Sequence, residues 1–379
     1  MKRSLPVLVL AAFATAASAG DRWHVYFGCY TNEKSGSKGI QLATFDSAKG
    51  TLSEPVLAAE AGNPSFLAVH PNGKFVYAVG EMAGAGKKGG AVSAFAVNKA
   101  DGTLRLVNQT DSGGAGPCHI SLDATGTMAM VTNYGGGSVA SYQIKPDGSL
   151  SGPVSFIQHE GSSANPQRQK APHGHSINRS PDNRYAFACD LGLDQVLTYK
   201  IDPAAGSLTA AGSAALPPGS GPRHLAFHPS GRFAFVNNEM LMTASTFAYS
   251  ADTGSLTLVE TVSTLPPEDR DKSGFSTAET VAHPNGKVVY VSNRTHDTIA
   301  VFSCDPATGK LTLIQNAPAE GRVPRNFNLD PTGNWMIVAH QDSNSAVVLK
   351  VDPATGKLST TGTKIKVGGA VCVRFLAAD

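Results

Sequence analysis

The sequence predicts an all-β fold, a seven-bladed β-propeller of four-stranded blades. Three observations carry the prediction: one turn that recurs seven times, a second turn that falls between its copies, and apolar strand sequence at both ends of the repeat array. The first turn puts glycine two residues ahead of leucine, at Gly50, Gly102, Gly148, Gly206, Gly254, Gly309 and Gly356, each 46 to 58 residues after the last. Glycine suits a tight hairpin because it adopts positive φ without steric cost. The second turn starts at His70, Asp123, Ser180, His228, His283 and Asp330 and ends three residues later. Apolar runs flank it, as in Phe66-Leu67-Ala68-Val69 and Phe75-Val76-Tyr77-Ala78-Val79.

Each unit of about 50 residues thus holds four short strands and two turns, the pattern of radially repeated sheets. Seven copies of one turn and six of the other fit a ring closed by both chain ends. Strands near Val25-Tyr26-Phe27 and Val371-Cys372-Val373 would share one blade. An open solenoid would need polar end caps, whereas both ends here are apolar.

Residues 1–19 read as a secretory signal peptide. Lys2 and Arg3 precede an apolar stretch from Leu5 to Ala17, and Ala17-Ser18-Ala19 is a small-residue cleavage site. The expected localisation is periplasmic or secreted, with residues 20–379 forming a single propeller domain. Loss of the leader leaves 29 basic against 29 acidic side chains. That balance, with no basic run, argues against nucleic acid and membrane as partners. The expectation is a monomer with a small-molecule substrate. Cys29, Cys118, Cys189, Cys304 and Cys372 lie far apart with no metal-type spacing. They read mostly as small buried strand residues, with one disulfide left open in an oxidising compartment.

Hairpin geometry selects the face that carries chemistry. If both tight turns lie at one end of the blades, the open connections lie at the other. Positions eight residues before and after the last residue of each second turn then sit at that open mouth. The earlier set reads Ser65, Cys118, His175, Arg223, Ala278 and Arg325; the later reads Glu81, Tyr134, Leu191, Glu239, Arg294 and Gln341. Structural positions of a repeat should look alike, and these differ, with several ionisable. His173, Asp190, His224 and Glu279 lie beside them, and with Arg325 they complete the candidate substrate-binding set. Two insertions, Ser151 to Pro172 and Ser263 to Thr277, reach the same mouth, where long loops often gate substrate. His70, His228 and His283 recur at one turn position and read as turn caps. Asn133, Asn238 and Asn293 recur and read as backbone-bonding. His340 is open between structure and chemistry, and a buried ion network competes with a catalytic role for the mouth cluster.

From about Val25 to Phe375 the chain resembles the seven-bladed lactonase family, which includes a bacterial 6-phosphogluconolactonase and is related to a fungal carboxy-cis,cis-muconate cyclase. The resemblance rests on Ala171-Pro172-His173-Gly174-His175, Gly221-Pro222-Arg223-His224, Val236-Asn237-Asn238-Glu239 and Val291-Ser292-Asn293-Arg294-Thr295. It implies a site of His175, Glu239, Arg223 and Arg294 that hydrolyses a lactone without metal or other cofactor. One departure is the leader, since phosphorylated sugars are scarce outside the cytoplasm and the substrate could instead be a plain aldonolactone. Histidine and glutamate suit proton transfer, with His175 or Glu239 as the base, and arginine suits a developing oxyanion. Two rivals stand beside this reading: a non-catalytic binding propeller in the periplasm, and a lactonising cyclase acting on muconate-like acids. A calcium-dependent lactonase finds no clustered carboxylates at the mouth.

Overall fold

The structure, a computed structural model, describes residues 21–82 and 89–378. The proposed leader therefore lies outside the described residues. Seven antiparallel sheets are arranged in a ring, and six are four-stranded in chain order. The seventh is shared, as the sequence predicts. Its inner strand Ala370–Ala377 comes from the end of the repeat array and pairs with Arg22–Cys29, with Phe27 opposite Val373. Gly39–Asp46 follows, and the outer position is split between Thr51–Leu52 and Val56–Glu60. Calling this blade one, the inner strands of blades two to seven start at Leu67, Pro117, Gly174, Pro222, Ser276 and Pro324. Each inner strand packs on the next, and Ala370–Ala377 packs on both its neighbours, so the ring closes.

Second strands such as Met128–Asn133, Tyr185–Asp190 and Phe233–Asn238 are buried along their whole length. They lie between neighbouring blades on both faces, which explains their unbroken apolar runs where a half-exposed strand would alternate. Outer strands such as Ser207–Ala215 are largely exposed. The core is a set of between-blade layers, for example Tyr77, Val79 and Phe95 with Ile120, Val131 and Tyr142. All five cysteines are buried and unpaired.

The recurring histidines cap their own turns and also staple the next blade. His228 Nδ1 accepts from the Ser230 N–H at 3.0 Å, so the proton lies on Nε2, which donates to the Gly286 carbonyl at 2.7 Å. His70 and His283 do the same to Gly126 and Gly333. Gly286 has φ of +71° and lies against the His228 ring, so a side chain there is barred on both counts. The other turn set is held in the same way, Tyr77 Oη donating to the Gly148 carbonyl and Tyr290 Oη to that of Gly356. His228→Ala leaves a buried carbonyl without its donor and is expected to cost about 1–3 kcal/mol. The urea midpoint should fall at constant slope; an unchanged midpoint would show the staple to be idle.

Candidate active site

The open connections meet at one mouth of the channel, around a cavity of about 520 Å³. His175, Cys118 and Arg325 from the earlier position set line it with Glu81, Tyr134, Glu239 and Arg294 from the later set. The inner-strand residues are turned inward by β-bulges. Pairing skips from Gly174 to Ser176, from Pro222 to His224 and from Pro324 to Asn326, leaving His175, Arg223 and Arg325 each unpaired on its strand. A bulge re-aims a side chain in just this way.

Glu239 is the electrostatic centre. Its Oε2 lies 2.8 Å from an Arg294 terminal nitrogen and 3.2 Å from Arg223 Nε. Its Oε1 accepts from Arg168 at 2.8 Å. Burial alone would raise the Glu239 pKa, but Arg294, Arg223 and Arg168 outweigh it and hold the carboxyl down at about 2. Burial and neighbouring cations lower Arg294 to about 9, which leaves it charged at neutral pH, and they lower Arg223 also. Arg223 Nε makes an ionic contact with Glu239 but no aligned hydrogen bond; another of its nitrogens donates to the Ala278 carbonyl.

His175 is buried, and its pKa falls well below 6.5 through burial first and the charges of Arg223, His224 and Arg325 second. Its ring is neutral near pH 7. The Tyr134 ring crosses it edge-on at 5.3 Å, and Cys118 Sγ stands 3.9 Å from Nδ1. Burial pushes the Cys118 thiol up to about 12, so it is no thiolate nucleophile. Arg325 lies over the Tyr30 ring and donates to Gln341, while Tyr30 Oη donates to Glu81 at 3.0 Å.

Several candidates fall elsewhere. Asp190 does not bind ligand: it is sealed from solvent, with Oδ2 2.6 Å from His159 Nδ1 and Oδ1 accepting from the His173, Gly192 and Leu193 backbone. His159 in turn bonds Tyr199 at 2.8 Å, so this buried trio anchors the first insertion. His173 supports the wall from behind, stacked on Tyr134 at 4.7 Å. His224 and Glu279 lie below the floor and do not line the main cavity. His340 is buried on the Ala319 carbonyl, a structural contact. Asn238 bonds the Thr243 and Ser245 hydroxyls, not backbone as expected, while Asn133 and Asn293 do reach backbone carbonyls.

Both insertions do reach the mouth, though the first is less irregular than its sequence suggests because Ser155–Gln158 completes a blade. It supplies Asn165 and Arg168, and the second supplies Phe275 and Ser276. Arg168 was missed because it has no counterpart in the repeat; its only sequence signal is its place in a long insertion. Tyr30 was missed because blade one has no second turn from which to count. Among the described residues no group of three or more His, Cys, Asp or Glu side chains is placed to hold a metal ion, and no helix is long and apolar enough to cross a membrane.

Residues 24–375 match the family model described as "Lactonase, 7-bladed beta-propeller". A 6-phosphogluconolactonase of Bacillus subtilis is 37% identical over 307 residues, 81% of this chain and 85% of its own. One from Formosa agariphila is 33% identical over 317 residues, 82% of this chain and 87% of its own. Among solved structures, the periplasmic gluconolactonase of Pseudomonas aeruginosa superposes with a TM-score of 0.87 at 33% identity, covering 94% of this chain and 100% of that one. With its ring of seven blades and its cation-rich mouth, the chain belongs to the seven-bladed β-propeller lactonase family.

Proposed function

We propose that the protein hydrolyses a sugar-acid lactone at the mouth cavity, with His175 as the base that activates water. The observation that carries this reading is the contrast between the two candidate bases. Glu239 is ionised far below neutral pH and has both oxygens engaged by arginines. His175 is neutral and lines the same cavity, and the Cys118 thiol approaches its Nδ1 only at a long 3.9 Å. A general base must be basic enough to take a proton at working pH; the neutral His175 ring is suited to this, whereas Glu239, held at about 2 by its arginines, is too weak a base.

Water attacks the lactone carbonyl carbon as His175 takes a proton. Negative charge builds on the carbonyl oxygen, where Arg294 supplies stabilising donors and Arg223 adds positive charge from beneath the cavity. Collapse breaks the ring C–O bond, and the leaving alkoxide takes the proton back from the imidazolium, giving the hydroxy acid. Glu239 keeps the two guanidinium groups together against their mutual repulsion. A cavity of this size suits a single small ligand.

The leader-like sequence at residues 1–19 supports action outside the cytoplasm, and the periplasmic Pseudomonas relative supports the same placement. The test is a panel of aldonolactones, phosphorylated aldonolactones and muconolactones, each corrected for spontaneous opening. The expected result is catalysed opening of the sugar-derived lactones and none of muconolactones. Turnover confined to muconolactones would favour the cyclase rival, and no turnover of any lactone would favour the binding propeller.

A further inference from the structure

Below the floor lies a buried acid–histidine pair that the reaction above does not use. His224 Nδ1 is 2.8 Å from Glu279 Oε1, and His224 Nε2 is 3.2 Å from an Arg223 terminal nitrogen. Both residues are nearly sealed from solvent. The pattern of donors fixes the protons. Arginine can only donate, so His224 Nε2 is the acceptor. A neutral imidazole has one N–H, which must then sit on Nδ1 and point at Glu279. His224 stays neutral because burial, and then Arg223, Arg374 and Arg325, push its pKa well below 6.5.

Glu279 is an acceptor at every contact. Oε1 also accepts from the Thr280 N–H at 2.9 Å, and Oε2 accepts from the Asn326 amide. The Asn326 amide cannot be flipped, because its Oδ1 accepts from the Val373 N–H at 2.8 Å. Burial raises the Glu279 pKa, while each of its hydrogen-bond partners, His224, the Thr280 N–H and the Asn326 amide, is a donor that favours the carboxylate form.

We propose that Glu279 and His224 are positioning residues for Arg223: a chain from the closing strand through Asn326, Glu279 and His224 fixes one tautomer and thereby one orientation of the guanidinium beneath the cavity. Second-layer partners of this kind orient metal-bound histidines through the same logic; here the oriented group is an arginine. The kinetic half of the inference rests on the lactonase reading, and the tautomer half does not.

The tautomer is read by nitrogen-15 NMR of histidine-labelled wild-type protein, with the His224 signals assigned by their loss in His224→Gln. The expected state is Nδ1–H; finding Nε2–H overturns the proposal, and this holds whether or not any lactone is turned over. On the lactone the wild type opens fastest, His224→Leu is expected to lower kcat roughly 100-fold with KM changed little, the signature of a misplaced reacting group. His224→Gln, whose amide oxygen can still accept from Arg223, should recover at least roughly tenfold of that loss, one hydrogen bond's worth. Glu279→Gln sets an amide N–H against one of the three donors and should lower kcat by roughly tenfold. Wild-type kcat in His224→Leu or Glu279→Gln, or equal impairment of the Gln and Leu variants at His224, would overturn the relay. Absence of turnover in the wild type would instead sink the lactonase reading and leave the NMR result to decide the relay.

Discussion

His175→Asn is expected to lower kcat by about 100- to 10,000-fold, the usual span for loss of a general base. Asparagine keeps polarity and much of the bulk, so the variant should fold. The remaining activity comes from the arginines, which still bind charge on the carbonyl oxygen. The pH dependence adds a second check. A base works deprotonated, and His175 titrates well below 6.5. Its activity is therefore full at neutral pH and lost only as pH falls through that lowered value. The wild-type profile of kcat/KM should be flat around neutrality with an acidic limb below 6.5, and His175→Asn should lack that limb. A limb centred above the ordinary histidine range, or one that survives in His175→Asn, would reassign the base.

Glu239→Gln is the second large effect, and it strikes stability as well as rate. Arg223 is only 3% exposed and Arg294 12%. Neutralising Glu239 leaves two buried cations facing each other without their shared counter-charge. Breaking a buried ion network from one side costs about 3–5 kcal/mol, to be read from denaturant midpoints. The linkage runs with the depressed pKa: in the wild type this contribution is complete above 4.5 and is lost as pH falls toward about 2. The variant should therefore be nearer the wild type at pH 2 than at pH 7. Equal stability at neutral pH would mean that the arginines are neutralised by something other than Glu239.

The blade number, the shared blade and the meeting of His175, Glu239, Arg294 and Arg325 at one mouth were legible because they follow from counting. A repeat imposes equal distances from each turn, and equal distances converge on one rim. What counting could not see is what breaks the repeat. The bulges at His175, Arg223 and Arg325, and the wider one that leaves Ala278 and Glu279 unpaired, reset the alternation of the inner strands, so His224 and Glu279 turn up beneath the floor instead of at the rim. Arg168 belongs to an insertion that has no repeat position. Asp190 reads as free for ligand because its partner His159, and the Tyr199 that bonds His159 in turn, lie 31 and 9 residues from it in sequence, with nothing in the motif to announce them.

The strand Ala370–Ala377 is the last of the ring to leave the ribosome, yet it is the inner wall of the first blade. Until it emerges, Arg22–Cys29 presents an unpaired edge, a liability for pairing with other chains, and Asn326 lacks the Val373 N–H that fixes its amide. A polypeptide stopped before residue 370 would carry His175, Arg223, Glu239 and Arg294 and still lack the strand that closes the ring around them. Closure of the ring thus waits on this one strand, and the Arg22–Cys29 edge stays open to pairing with other chains until it arrives.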